Sequence, residues 1–495
     1  MYKKLLYNHM LLLERASELL EENRLREAEF MFKQVLKQNP KNGKALFGLG
    51  RICMRLEQYD NAIYYLKRAC EHLPKMLDPL YALADAFIAV GSPVDAKTVL
   101  EYTLSVARHN AQAHYHLGQF YLDYGFIDNA RNVFEAGLSC PHSAITVFMI
   151  HELIKLTEGE KLNDYLALLD SLAEDIDNPR VQIVVHYAKA KAFEKLSDVD
   201  TAFSHYQQAN SAQHDMCDFH TSAMLPFFEY LKQSFNQGFF DKPADKVKAT
   251  FTPVFIVGLP RTGSTLLEQM LIQHSQVGSM GESTVISDDI VPYLSMRNEA
   301  PFPDCVKTLS TSMLDHCRNL YVDEIKRHRV AEEAVINKLP ANFQNIGLIC
   351  RMFPDARFIH MTREFMPNAW SVYSNHFAED EPYFCSLQEY QLYSDMTEDV
   401  MAHFKSMLPR NIHTMSYEKL LEQPEREIRK ALNFMYQKYE PECMEFHKSH
   451  KVVTTLSKAQ VRKPLNSAPL INWKKFEALM TKELAMEQPG AKSPV

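Results

Sequence analysis

The sequence predicts an all-α repeat solenoid followed by a three-layer α/β domain with a mostly parallel sheet. Three observations carry this expectation. Small and apolar residues recur through the first half at a constant spacing of 34. That period stops before a polar connector, DKPADKVKAT, near residue 250. Directly after it, TPVFIVGLPRTGSTLLEQMLIQH reads as an apolar strand, a glycine-bounded turn and a helix.

In the first half a small residue stands at Ala16, Gly50, Ala84 and Gly118, and an alanine at Ala28, Ala62, Ala96 and Ala130. A bulky apolar residue follows each of those alanines by four: Phe32, Leu66, Leu100 and Phe134. Prolines close units at Pro40, Pro74 and Pro141. Each unit reads as two amphipathic helices. The small residues let the helices approach, and the large one fills the layer between them. One helix pair cannot cover its own apolar face, so pairs stack. A fifth unit, around 144–178, is degenerate. A sixth restores the pattern at Ala190, Ala202, Tyr206 and Ala209, after an insertion of four residues. The array resembles the tetratricopeptide family in its 34-residue unit. Two uses fit it equally: a concave surface that grips a peptide or protein, and a scaffold or homodimerisation surface for the second half. Tyr81, His114, Tyr115 and His116 face a ligand in the first case and pack in the second.

The 495 residues are 46% hydrophobic and 23% charged, ordinary values for a chain of two or more domains. A net charge of −8 excludes a global basic field for nucleic acid. The nine cysteines form no CxxC pair and no Cys/His cluster at zinc spacing. They read as free thiols in a reducing compartment, and no metal is expected. Glu14 and Arg15 interrupt the N-terminal apolar run too early for a signal peptide. No window of about 18 apolar residues predicts a membrane span, so a cytoplasmic protein is expected.

The second half opens on chemistry. Val254–Val257 is a β-rich run, Gly258–Gly263 a turn, and Leu266–His274 a helical pattern. That order aims backbone N–H groups and a helix start at an anion. The glycine spacing fits the first part of a Walker A loop, but Ser264 and Thr265 follow where a nucleoside triphosphatase needs Lys then Ser/Thr. Arg261, inside the loop, supplies the cation instead. A kinase reading fails on the missing lysine.

GLPRTGSTLLEQML resembles the 5′-phosphosulfate loop of sulfotransferases that use 3′-phosphoadenylyl sulfate (PAPS). It is most similar to the tetratricopeptide-containing and tyrosylprotein branches, and further motifs follow in that family's order. The resemblance implies donor contacts from Arg261, Thr262, Gly263, Ser264 and Thr265. It implies that Arg363 and Ser371, in and after FIHMTR, hold the 3′-phosphate. It gives Lys338, in AVINKLP, the task of stabilising the leaving phosphosulfate oxygen. LSKAQVRKPLNS is similar to the family's nucleotide-covering loop. There Ser457 donates to the transferring sulfate, Arg462 and Lys463 add charge, and the segment through Asn466 lies over the donor. Tyr417, in MSYEKL, is placed near the donor. Two departures stand out. Asn472 precedes Trp473 where the tyrosylprotein branch has lysine, and Asn375 stands where that branch has arginine.

Glu282 occupies the family's catalytic base position, 21 residues after Arg261, with Gly281 permitting a turn back toward the loop. A phenol of pKa about 10 facing a carboxyl near about 4.3 requires proton transfer concerted with sulfuryl transfer, or a raised carboxyl. His274, His360 and His376 are rival bases. The resulting expectation is an O-sulfotransferase with PAPS as co-substrate and PAP as product, acting by in-line displacement. Its acceptor is a hydroxyl, such as a tyrosine in a peptide recruited by the array. A carbohydrate or small-molecule acceptor and a catalytically inactive repeat adaptor are the alternatives. Asp288, Asp289 and the acidic run 379–381 read either as acceptor contacts or as solvated charge. The expected boundaries are 1–215 for the array, 216–250 for a helical junction, 251–487 for the α/β domain and 488–495 for a disordered tail.

Overall fold

The computed structural model describes residues 2–241, 249–377, 380–448, 465–466 and 468–486. They form two compact units, divided between Met149 and Ile150. Twelve helices, α1 to α12, run in antiparallel pairs. They are Tyr2–Glu21 with Leu25–Gln38, Gly43–Arg55 with Tyr59–His72, and Asp78–Ala89 with Pro93–Val106. Then come Ala111–Asp123 with Ile127–Gly137, Ala144–Leu156 with Lys161–Asp175, and Pro179–Lys195 with Val199–His214.

The period-34 residues are the contact residues of these pairs. Ala16, Ala28, Ala62, Ala96 and Ala130 are fully or almost fully buried, as are Phe32, Leu66 and Phe134. A Cβ at Gly50 would lie 2.6 Å from the Leu66 side chain, and one at Gly118 would lie 2.2 Å from the Phe134 ring. The small residue of one helix is thus the socket for the large residue of its partner.

After α12 the helix α13 (Leu225–Ser234) crosses the junction. Phe228, Leu231, Phe235 and Phe239 are buried against the sheet, so this stretch is core as well as connection. The sheet has five parallel strands: β1 (Thr252–Gly258), β2 (Val277–Ser279), β3 (Ala334–Asn337), β4 (Arg357–Thr362) and β5 (Ile412–Ser416). Their spatial order is β2-β3-β1-β4-β5, with Val254 opposite Ile336 on one side of β1 and Val257 opposite His360 on the other. Alternate residues of β1 serve opposite faces. Phe255 and Val257 meet Phe228, Tyr321, Phe343 and Phe358. Val254 and Ile256 meet Leu267, Met270 and Leu271 of α14 (Ser264–Leu271), with Ile428 and Leu432 behind. Burial on both faces explains why the strands read as unbroken apolar runs.

A third cluster lies within the second unit. Tyr187 and Tyr206, from α11 and α12, pack with Trp370 and Tyr373 of α15 (Phe365–Tyr373) and with Trp473 and Phe476. Asn210 donates to the Tyr373 carbonyl at 2.9 Å and accepts from the Tyr187 hydroxyl at 2.8 Å. The change of fold class thus falls near residue 250, whereas the compact boundary falls a hundred residues earlier, inside α9. Among the described residues no helix is long and apolar enough to cross a membrane.

Gly118→Ala is expected to overpack the α7/α8 pair and cost about 1–3 kcal/mol. Hydrogen exchange in 111–137 should quicken in the variant, and unchanged exchange there would disprove the socket.

Candidate functional site

Each parallel strand ends at the same edge, and each end carries a residue expected there. The phosphate loop follows β1, Glu282 follows β2, Lys338 follows β3, Arg363 follows β4 and Tyr417 follows β5. A sheet whose strand order reverses beside β1 opens a crevice at that edge.

The loop is shaped by steric necessity. Gly263 has φ +90°, and a Cβ there would lie 2.3 Å from the Tyr417 ring. It is also the N-cap of α14, so the residue that usually offers a capping oxygen has none. Thr262 donates to the Leu259 carbonyl at 2.9 Å, and Ser264 and Thr265 are buried in the first helical turn. Backbone N–H groups at a helix start favour negative charge.

Arg261 and Arg363 meet over this loop. Arg261 Nε donates to Ser371 Oγ of α15 at 3.1 Å. Arg363 donates to the Arg261 carbonyl at 3.0 Å, and its guanidinium lies 4.8 Å above the Tyr417 ring. Burial, then the charge of Arg363, lowers Arg261 to about 10. Burial lowers Arg363 as well. Two half-buried cations are thus held side by side at the loop. The loop is braced from outside by Asn368, which donates to the Pro260 carbonyl at 2.9 Å and accepts from Tyr390 of α16 (Leu387–Met407). Asn375, one of the two departures, donates to the Ser371 carbonyl at 3.0 Å.

On the other side of β1, Lys338 is 1% exposed and ion-paired with Glu282, whose side chain is 50% exposed. Gly281, at φ +60°, makes the expected turn, and its carbonyl accepts from the Lys338 N–H at 2.8 Å. Sequence reasoning missed a third member. Glu268 of α14 is buried, 3.8 Å from Lys338 Nζ, and accepts from Ser279 Oγ at 2.6 Å. Burial raises its carboxyl above the usual range, while Lys338 and the Ser279 hydroxyl oppose the rise. Its only sequence signal was a charged residue on an otherwise apolar helix.

The rival bases stand elsewhere. His274 is fixed by the Lys438 carbonyl at 2.6 Å and the Gln276 N–H at 3.0 Å. His360 is buried within β4, 3.5 Å from Glu398. His376 packs on Tyr187, and burial lowers its pKa. Of the acidic residues weighed as acceptor contacts, Asp288 and Asp289 sit in the turn 286–290, and Asp380 pairs with Arg180 at 2.6 Å. Asn466 is exposed, while Ser457, Arg462 and Lys463 lie outside the described residues. Asn472 opens the short helix that buries Trp473.

Fold and site together define a helical repeat array joined to a parallel α/β domain with an arginine-bearing glycine loop at its carboxyl edge. Residues 253–441 match the sulfotransferase family, and residues 13–76 and 81–142 match the tetratricopeptide repeat. The chain therefore couples a sulfotransferase-family domain to a tetratricopeptide array. An uncharacterized protein of Aquifex aeolicus (strain VF5) is 25% identical over 70% of this chain and 47% of its own length. The chain thus spans about half of that relative. Protein-tyrosine sulfotransferase 1 of Mus musculus is 26% identical over 24% of this chain and 34% of its own. The solved sulfotransferase domain from the curacin biosynthetic pathway aligns at 17% identity, over 49% of this chain and 94% of its own, with a TM-score of 0.32.

Lys338→Met is expected to strand the buried Glu268 carboxylate and to destabilise the second unit by about 3 kcal/mol. Glu268→Gln in the same chain should recover most of that loss. Both tryptophans, Trp370 and Trp473, lie in this unit, so urea unfolding followed by their fluorescence reads it directly. A double variant no more stable than the single one would rule out the pairing.

Proposed function

We propose that the chain is a sulfotransferase that takes a sulfuryl group from PAPS, passes it to an acceptor hydroxyl and releases PAP. The observation that carries this reading is the convergence of two half-buried guanidiniums, Arg261 and Arg363, with Ser371 beside a glycine-capped helix start. A ligand with phosphates at both 5′ and 3′ positions would relieve that concentration of charge. In this reading residues 261–265 hold the 5′-phosphosulfate, and Arg363 and Ser371 hold the 3′-phosphate that ATP lacks. Tyr417 offers its ring face to Arg363 and shapes the loop through Gly263. Ser457, Arg462, Lys463 and Asn466 are proposed to cover the donor.

Glu282 is the proposed base and Lys338 the stabiliser of the leaving oxygen. Without ligands the two neutralise each other. Productive binding therefore exchanges partners. Lys338 turns to the bridging phosphosulfate oxygen, and Glu282 turns to the acceptor O–H. The acceptor oxygen then bonds to sulfur as the sulfur–oxygen bond to the nucleotide phosphate breaks. Glu282 takes the proton, and the negative charge ends on the phosphate. Glu268 stays beside Lys338 throughout, so the lysine keeps a counter-charge when Glu282 becomes neutral. The proposed acceptor is a tyrosine hydroxyl in a peptide gripped by the repeat array. This follows the named tyrosine sulfotransferase among the relatives and the common use of stacked helical repeats as binding surfaces.

Calorimetry with PAP, AMP and ATP tests the donor site. PAP should bind well above AMP and ATP, and Arg363→Ala should weaken PAP at least about tenfold. Glu282→Ala should keep PAP binding while losing about a hundredfold or more in turnover of labelled PAPS with a tyrosine peptide. Equal affinity for ATP and PAP would remove the donor assignment. Binding of none of the three would favour an adaptor without catalysis.

A further inference from the structure

A separate group of ligating side chains lies where the array's last helix meets α16. His214 is the final residue of α12, His220 stands in the turn that follows, and Glu389 lies in the first turn of α16. Glu389 Oε1 is 3.3 Å from His220 Nδ1 and 3.8 Å from His214 Nε2. All three ligand atoms lie within 4.8 Å of one another. The longer separation exceeds a hydrogen bond, and His214 Nε2 is buried without a hydrogen-bond partner.

The carboxylate is fixed from behind. Glu389 is 3% exposed, and its second oxygen accepts the Thr221 N–H at 2.7 Å. Its own N–H donates to the capping Ser386 hydroxyl at 3.3 Å. Oε1 is thereby turned toward both rings. Metal-bound carboxylates are commonly oriented in this way by donors outside the coordination sphere.

We propose that His214, His220 and Glu389 form a divalent-cation site with the chemistry of zinc. Bonds of about 2.0–2.1 Å in a tetrahedral centre place ligand atoms about 3.3–3.4 Å apart. Of the three separations, that between His220 and Glu389 already has that value, and the two that involve His214, 3.8 Å to Glu389 and within 4.8 Å to His220, close by movement of the His214 ring. Two neutral imidazoles and one carboxylate suit zinc, whereas calcium and magnesium take mostly oxygen. Three protein ligands leave a fourth position for water. The ligands are 6 and 169 residues apart in sequence, which is why no local spacing announced them.

The ion would clamp the end of α12 to the first turn of α16. The next residue, Tyr390, donates to Asn368, which in turn holds the Pro260 carbonyl of the phosphate loop. The site is thus one residue from the brace of the loop, and it stands whatever reaction the loop serves.

The experiment uses the full chain, purified without a histidine tag and stripped with chelator. Zinc chloride is titrated by calorimetry, and cobalt chloride is titrated by visible absorption. One equivalent of zinc should bind, cobalt should give the intense visible bands of a four-coordinate site, and zinc should raise the melting temperature. His220→Ala, at a side chain 69% exposed, should fold normally and weaken zinc by about tenfold or more. His214→Gln should do the same. His186→Ala removes half of another histidine pair, 3.0 Å from His205, and should change nothing. No zinc bound by the stripped protein, or full affinity retained in His220→Ala, would overturn the site. So would zinc lost in His186→Ala but kept in His220→Ala.

Discussion

Parallelism of the five strands is the constraint on which the second unit depends. A parallel pair cannot be joined by a tight turn, so every strand is followed by a long excursion. Segments far apart in sequence therefore come to one edge. Arg261, Glu282, Lys338, Arg363 and Tyr417 are spread over more than 150 residues, yet each stands within a few residues of a strand's carboxyl end. Ladder registers such as Gly258 with Met361, Thr362 with Ser416 and Ser279 with Ile336 fix how far each end reaches. A slip of one residue in β4 would turn its buried side chains to the wrong face and carry Arg363 away from the loop.

At that edge charge is divided by β1. On one side Arg261 and Arg363 crowd together, and their mutual repulsion is held by the packing of α15 and by the Tyr417 ring. On the other side Lys338 stands between Glu282 and Glu268, one cation with two carboxyl groups. Positive charge is thus gathered on one side of β1, and a lysine with two acidic partners stands on the other. Burial strengthens the Lys338–Glu268 contact most, because both of those side chains are nearly removed from water. The hydrogen bonds from Tyr390 to Asn368 and from Asn368 to Pro260 keep the loop rigid from the protein side.

What the sequence makes visible is local geometry. The period of 34 survives because a side chain larger than glycine at Gly118 would collide with Phe134, and likewise at Gly50 with Leu66. The loop is legible because a left-handed turn beside Tyr417 admits only glycine at 263. Lys338 and Glu282 were found through resemblance, and their pairing depends on the β2–β3 register, which no single segment displays. Glu268 was hidden by the same register. The compact boundary inside α9 was hidden differently. Composition changes at the connector near 250, but α11 and α12 have enough aromatic surface, in Tyr187, Phe203 and Tyr206, to cover Trp370. Their loyalty is to the α/β domain, and repeat periodicity carries no mark of that.

Phe446 and Cys443 are buried on one face of the sheet, and Trp473 and Phe476 are buried against Trp370 beside α15. Residues 446 and 473 are thereby fixed in two different clusters of the same unit. Fixing two such points costs chain entropy that depends on the length of sequence between them rather than on its identity. The entropic toll of closing such a span grows slowly, by about 0.6 kcal/mol for each doubling of its length. The length between the two anchors is therefore free to vary, whereas the anchors, each set in its own packed cluster, are not.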